Sequence, residues 1–229
     1  VTLSVGNPSI NEDTTAPTST AIIATLDTLS GLNVTVTLTK SGTAIEGTDY
    51  NMASTIIIPA GNLTASITLV SLADIIDEDN ETVKIDINTV SNAVKTGVPA
   101  GQTQTVTIVD NEVPPTVNLS VGKGSINEVS GTTTVRSKLS SVSGLAVTVT
   151  LSRNATSTAV ENSDYTLNST MTIPAGMLFA EITISSLDDF LFENDEKVVI
   201  DIASVLNGSA GTSSQVMVTI VSEDLAPTV

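Results

Sequence analysis

The 229-residue chain carries 25 acidic and eight basic side chains, a net charge of −17, so nucleic acid and anionic membrane surfaces would repel it and cations are its natural partners. It has neither Cys nor His, which removes disulfides, thiolate chemistry, the Ser-His-Asp type of triad and His-ligated zinc. Apolar residues make up 40% of the chain but aromatics only 2%, so a core has to be assembled from Val, Ile, Leu and Ala, a composition suited to strands.

From the first residue onward, short runs alternate apolar side chains with Thr, Ser or charge, as in Val34-Thr-Val-Thr-Leu38, Ile67-Thr-Leu69, Val83-Lys-Ile-Asp-Ile87 and Val106-Thr-Ile108. A period of two broken by Gly, Pro, Asn and Asp predicts strands with one buried face. Seven are expected in the first half, near 1–10, 18–27, 32–40, 52–58, 63–71, 81–88 and 102–109, and no stretch carries a helical period. No apolar run approaches the roughly 20 residues of a membrane-spanning helix.

The same order returns in the second half. Val1-Thr-Leu-Ser-Val-Gly6 reappears as Val117-Asn-Leu-Ser-Val-Gly122, and Ser30-Gly-Leu-Asn-Val-Thr-Val-Thr-Leu38 as Ser143-Gly-Leu-Ala-Val-Thr-Val-Thr-Leu151. Asp49-Tyr50 becomes Asp164-Tyr165, Ile58-Pro-Ala-Gly61 becomes Ile173-Pro-Ala-Gly176, and Glu81 becomes Glu196. This is a tandem duplication, with repeats expected at 1–113 and 114–229 and a stiff linker at Asn111-Glu-Val-Pro-Pro115. Pro227-Thr-Val229 repeats Pro115-Thr-Val117, as if a third copy were starting, so the chain reads as part of a longer array. The expected fold is all-β: two tandem seven-stranded antiparallel sandwiches of immunoglobulin-like architecture.

Each copy contains one acidic connection between alternating runs, Asp74-Ile-Ile-Asp-Glu-Asp-Asn-Glu81 and Asp188-Asp-Phe-Leu-Phe-Glu-Asn-Asp-Glu196. Together with Gly42-Thr-Ala-Ile-Glu-Gly-Thr-Asp-Tyr50, Ile58-Pro-Ala-Gly61 and Val106-Thr-Ile-Val-Asp110, these landmarks resemble the Calx-beta repeat. That repeat occurs in the regulatory loop of sodium/calcium exchangers, in an integrin β subunit and in large bacterial surface proteins. The resemblance covers both copies. It implies Ca²⁺ ligation by Glu12, Asp49, Asp74, Glu78, Glu81, Asp110 and Glu112 in copy one. In copy two it implies Glu128, Asp164, Asp188, Asp189, Glu193, Glu196, Glu223 and Asp224. Both copies depart from the pattern: Ala73 replaces the first acid of the loop pair, and Ser222 stands where Asp110 has its counterpart.

Strand order points the same way on its own. In a seven-stranded sandwich the first, third and fifth connections and the end of the last strand share one end, and the four acidic clusters fall there. Ca²⁺ takes six to eight oxygen ligands and suits such a cluster better than Mg²⁺, which holds to octahedral geometry and retained water; neither loop has EF-hand spacing. The alternative is an acidic end that serves only as solvated surface. Asp188 and Asp189 as a glycosidase pair lack any sugar cleft or aromatic platform around them, so no enzymatic activity is expected.

The functional expectation is therefore a calcium-stiffened, monomeric spacer of an extracellular, bacterial surface or adhesion protein. Its partners would be calcium ions, neighbouring repeats of the same chain and a surface-protein or glycan ligand. A calcium-sensing regulatory module and a ligand-binding adhesion domain are the alternatives.

Overall fold

The computed structural model describes residues 1–12, 18–95, 103–189 and 191–228, and its described residues contain strands and no helix. Phe190 of the second acidic loop and Val229 of the closing Pro-Thr-Val lie outside them. The chain divides into two compact units, Val1–Glu112 and Val113–Val229.

In the first unit, β1 (Thr2–Val5), β3 (Ser19–Thr25), β7 (Thr64–Ser71) and β5 (Tyr50–Met52) form one sheet in the order β1-β3-β7-β5. The other sheet runs β2 (Ser9–Asn11), β9 (Gln104–Val109), β8 (Glu81–Ser91), β4 (Val34–Gly42) and β6 (Thr55–Ile58). The alternation does what the sequence predicts: Val34, Val36 and Leu38 of β4 point inward and Thr35 and Thr37 outward. The layer between the sheets is filled by Ile22, Ala24, Ile56, Ile58, Leu69, Val83, Ile85, Val106 and Ile108. Each Val, Leu or Ile side chain there contributes about 1.5 to 3 kcal/mol by leaving water.

The second unit repeats the plan. One sheet contains β14 (Tyr165–Leu167), β16 (Phe179–Ser186), β12 (Thr132–Leu139), β10 (Thr116–Val121) and β18 (Ser209–Ala210). The other contains β11 (Ser125–Asn127), β19 (Gln215–Val221), β17 (Glu196–Leu206), β13 (Val147–Arg153) and β15 (Thr170–Ile173). Even the irregularities recur: the register of β4 on β8 shifts between Thr37 and Leu38, and that of β13 on β17 between Thr150 and Leu151.

Two of the seven expected runs are broken, and the pairing is not wholly antiparallel. Residues 1–10 split at Gly6-Asn7-Pro8, where Asn7 N donates to Thr20 Oγ1 (2.7 Å) and Pro8 O accepts from Thr107 (2.8 Å). The chain thereby changes sheets, so β1 lies antiparallel to β3 while β2 lies parallel to β9. Gly122-Lys-Gly124 makes the same crossing in copy two, leaving β11 parallel to β19. Residues 52–58 split in the same manner, β5 pairing with β7 and β6 with β4. Across residues 52–58 the side-chain period of two keeps its phase, with Met52, Ile56 and Ile58 all buried, so one run is legible where two strands exist, whereas between Val5 and Ile10 the phase shifts at the Gly-Asn-Pro break.

Candidate metal centre

In each unit, five segments deliver carboxylates to one end of the sandwich. In copy one these are the end of β2 (Glu12), the approach to β5 (Asp49), the β7–β8 connection (Asp74, Asp77, Glu78), the first residue of β8 (Glu81) and the end of β9 (Asp110, Glu112). Asp49, Glu78 and Glu81 bring carboxylate oxygens within 4.8 Å of one another. In copy two the corresponding Asp164, Glu193 and Glu196 do the same, and so do Glu128, Asp189 and Asp224.

Local chemistry sets these positions. Asp74 Oδ1 accepts from Ile76 N and Asp189 Oδ1 from Leu191 N, both at 2.7 Å, so each acid closes its own turn. Asp49 Oδ2 accepts from Ile45 N (2.5 Å) and Asp164 Oδ2 from Val160 N (2.6 Å), fixing the loop that ends in the Asp-Tyr pair. Tyr50 and Tyr165 are buried beside their Asp as packing residues. Thr43 Oγ1 accepts from Thr82 N and Thr158 Oγ1 from Lys197 N, both at 2.8 Å, tying this loop to the strands that begin with Glu81 and Glu196. Gly42, at φ 126°, allows the close passage in copy one, since a Cβ there would lie 2.0 Å from Thr82 O. Glu12 Oε1 accepts from Asp74 N at 3.1 Å.

Crowding raises the affinity of these groups for protons. Burial, and then the charge of Asp74, push the Glu12 carboxyl up to about 7. Burial, with hydrogen bonding to and the charge of Asp49, pushes Glu81 to about 7, and Glu196 is raised to about 7 by burial and Asp164. Asp110 rises to about 6, chiefly by burial, and burial also raises Glu78 and Glu128. Two ionised carboxylates about 5 Å apart repel by roughly 1 to 3 kcal/mol at effective dielectrics between water and protein.

The donor set fits a hard divalent cation. It is all oxygen, and Asp110 Oδ1 and Asp224 Oδ2 are buried without a hydrogen-bond partner, so among the described residues one carboxylate oxygen in each copy is desolvated with nothing in the protein to satisfy it. In copy two, Glu128, Asp164, Glu193 and Glu196 line a cavity of about 10 Å³, the room of a single water-sized sphere.

Not every predicted residue is drawn in. Asp188 is exposed and belongs to none of the carboxylate groups among the described residues. Glu223 is also exposed and turns its Oε1 to Val129 N at 3.0 Å. Glu112 acts through its charge on Glu12, and through charge and a side-chain hydrogen bond on Asp110. One acid was missed: Asp77 is only 5% exposed, and its charge acts on Glu78 and Asp110. Its counterpart in copy two is Phe192, so matching the copies hides it, whereas the acidic composition of the loop itself contains the signal. Asn80 also reaches the acidic end, where its Oδ1 accepts from Asp110 N at 3.1 Å.

Fold and site together define a tandem pair of two-sheet β domains, each with carboxylates from sequence-distant segments gathered at one end. The Calx-beta domain model matches residues 1–112 and again 110–224, so the chain belongs to the Calx-beta family. No curated protein matches it. Among solved structures it is similar to the calcium binding domain CBD12 of CALX1.1, at 19% identity over 90% of this chain and 80% of that one, with a TM-score of 0.39. It is likewise similar to CBD12 from CALX1.2 (16% identity, 96% and 99% covered, TM-score 0.40) and to the apo form of the Calx CBD1 domain (20%, 48% and 99%, 0.40).

Proposed function

We propose that each copy binds Ca²⁺ through the carboxylates of its acidic end, and that the tandem pair is a non-catalytic, calcium-stiffened spacer of an extracellular surface or adhesion protein. The observation that carries this reading is the repetition. Two copies that differ through much of their sequence both assemble oxygen-only groups from distant segments, at the cost of mutual repulsion. Asp49, Glu78 and Glu81, with Glu12, Asp74, Asp110 and Glu112 beside them, are the ligands available to copy one. Copy two offers Asp164, Glu193 and Glu196, with Glu128, Asp189 and Asp224. Bound Ca²⁺ supplies the positive charge that cancels this repulsion. The residues in turn become cross-links between loops that the backbone joins only remotely. Asp110 adjoins and Glu112 lies within the linker at Asn111 to Pro115, where two prolines already restrict the chain, so engaging them in ligation orders the start of the linker. Small-angle scattering of the intact chain tests the spacer role: the account expects a longer, less flexible particle with Ca²⁺ than with chelator. Equal dimensions in both solutions would sink it.

A second reading, a calcium-responsive regulatory module, is favoured by the carboxyls raised to about 7, which let protons and Ca²⁺ compete near neutral pH. Affinity separates the two. A sensor binds at about micromolar Ca²⁺ or tighter, whereas an extracellular spacer binds at roughly 0.1 to 1 mM.

A further inference from the structure

Both copies contain one buried serine at the same place in the carboxylate end. Ser71 closes β7 three residues before Asp74, and Ser186 closes β16 three residues before Asp189. Ser71 is fully buried and Ser186 is 9% exposed. Ser71 Oγ lies 2.9 Å from Asn11 O and 3.0 Å from Thr18 O. Ser186 Oγ lies 2.9 Å from Asn127 O and 3.0 Å from Gly131 O. A hydroxyl has one proton, so each serine shares it between two carbonyls.

The two carbonyls belong to different sheets. Asn11 and Asn127 end β2 and β11, which pair with β9 and β19, and each directly precedes a candidate ligand, Glu12 or Glu128. Thr18 and Gly131 lead into β3 and β12, the neighbours of β7 and β16 in the opposite sheet. Each serine is therefore a cross-sheet tie one residue from the glutamate and three from the aspartate. The pair it holds is in register: Asp74 N donates to Glu12 Oε1 in copy one, and Asp189 N donates to Glu128 in copy two. The carboxylates on either side repel when no cation is present, so something neutral has to hold the sheet ends together beforehand. A hydroxyl donating to main-chain carbonyls does so without adding charge.

We propose that Ser71 and Ser186 are positioning residues of the two calcium sites, setting the distance between Glu12 and Asp74 and between Glu128 and Asp189 before an ion arrives. The proposal rests on the calcium-binding reading above. Groups that orient ligands from behind typically change metal affinity by about tenfold or more when removed.

The test uses the whole chain, Ca²⁺ as the only probe, and backbone amide NMR signals to follow each copy separately. Ser71→Ala should weaken copy one by about tenfold and leave copy two unchanged, and Ser186→Ala should do the reverse. Ser71→Cys and Ser186→Cys, close in shape but weaker donors, should fall between wild type and Ala, and they carry the test if an Ala variant does not fold. A purely structural serine lowers the melting temperature of the apo and calcium-bound forms alike and leaves the affinity of the folded protein where it was. That pattern would overturn the proposal. If wild type itself binds no Ca²⁺, the calcium reading fails before any variant is compared.

Discussion

The two acidic ends share a frame but place their acids at different positions on it. Copy one places Asp77 in the loop and Asp110 after the last strand, whereas copy two has Phe192, 53% exposed, and Ser222 at those positions. Copy one thus raises four carboxyls, Glu12, Glu78, Glu81 and Asp110, and copy two raises Glu128 and Glu196. The turn hydrogen bonds, the serine ties and the Asp-Tyr loops are common to both. The backbone scaffold is therefore separable from where along it the acids stand, and the two sites should differ in affinity while agreeing in geometry.

The largest expected effect comes from removing a carboxylate at the centre of one group. Glu81→Gln should weaken calcium binding by copy one by about 100-fold and leave copy two as it was, with Glu196→Gln giving the mirror result. Titration calorimetry reads both. Equal losses in both copies would dissolve the comparison, because they would mean that the acids act only through the summed field of the chain. Restoring the missing acid sharpens it: Ser222→Asp should tighten copy two by about tenfold. An unchanged affinity would contradict a contribution of the acid after the last strand, by ligation or by charge, to the site.

The response to pH comes next in size. Glu12, Glu81 and Glu196 titrate near 7 in the folded chain against 4.5 when unfolded, so between those values the folded state carries more protons. The contribution of these three groups to the stability of the calcium-free protein is then fully present below about 4.5 and is lost as pH rises through 7. Calcium binding must displace those protons, so its affinity should move oppositely and fall as pH drops below 7. Melting curves at about pH 5.5 and 8, with Ca²⁺ and with chelator, should show the calcium-induced rise in Tm growing with pH. The steeper change belongs to copy one, which holds more raised groups. A rise independent of pH would contradict the assignment of these groups to the site.

The smallest effect lies in the core. Ser137 Oγ is fully buried and makes no hydrogen bond, whereas its counterpart in copy one, paired across from Leu3 as Ser137 is from Leu119, is Ala24. Ser137→Ala should stabilise copy two by about 1 kcal/mol, read as an upward shift of a few degrees in its melting transition. A loss of stability would mean that the hydroxyl is satisfied in solution.

Much of this was legible in the chain because strands advertise their buried face at a period of two and because duplication supplies its own control. The Asp-Tyr pairs and the acidic loops reappear in order, and the structure brings Asp49 to Glu78 and Glu81 across roughly thirty residues of sequence. What the sequence hid was hydrogen bonding and sheet membership. In Val1 to Ile10 the sign was Gly6-Asn7-Pro8 itself, across which the apolar phase shifts from Val1, Leu3 and Val5 to Ile10; that it also carries the chain from one sheet to the other is visible only in the pairing. The sequence does not reveal that Glu223 turns one oxygen to Val129 N, nor that Asp188 stands exposed beside the gathered acids. Ser71 and Ser186 look like any serine at the end of a strand, because what distinguishes them is a pair of carbonyls far away in sequence.

Calorimetric titration of the intact, calcium-free chain with Ca²⁺ near neutral pH tests the central claim most directly. The account predicts saturable binding in two classes of unequal affinity, accompanied by an increase in Tm for both copies. The absence of binding heat, together with melting transitions that do not move when Ca²⁺ is added, would show that the acidic ends are solvated surface.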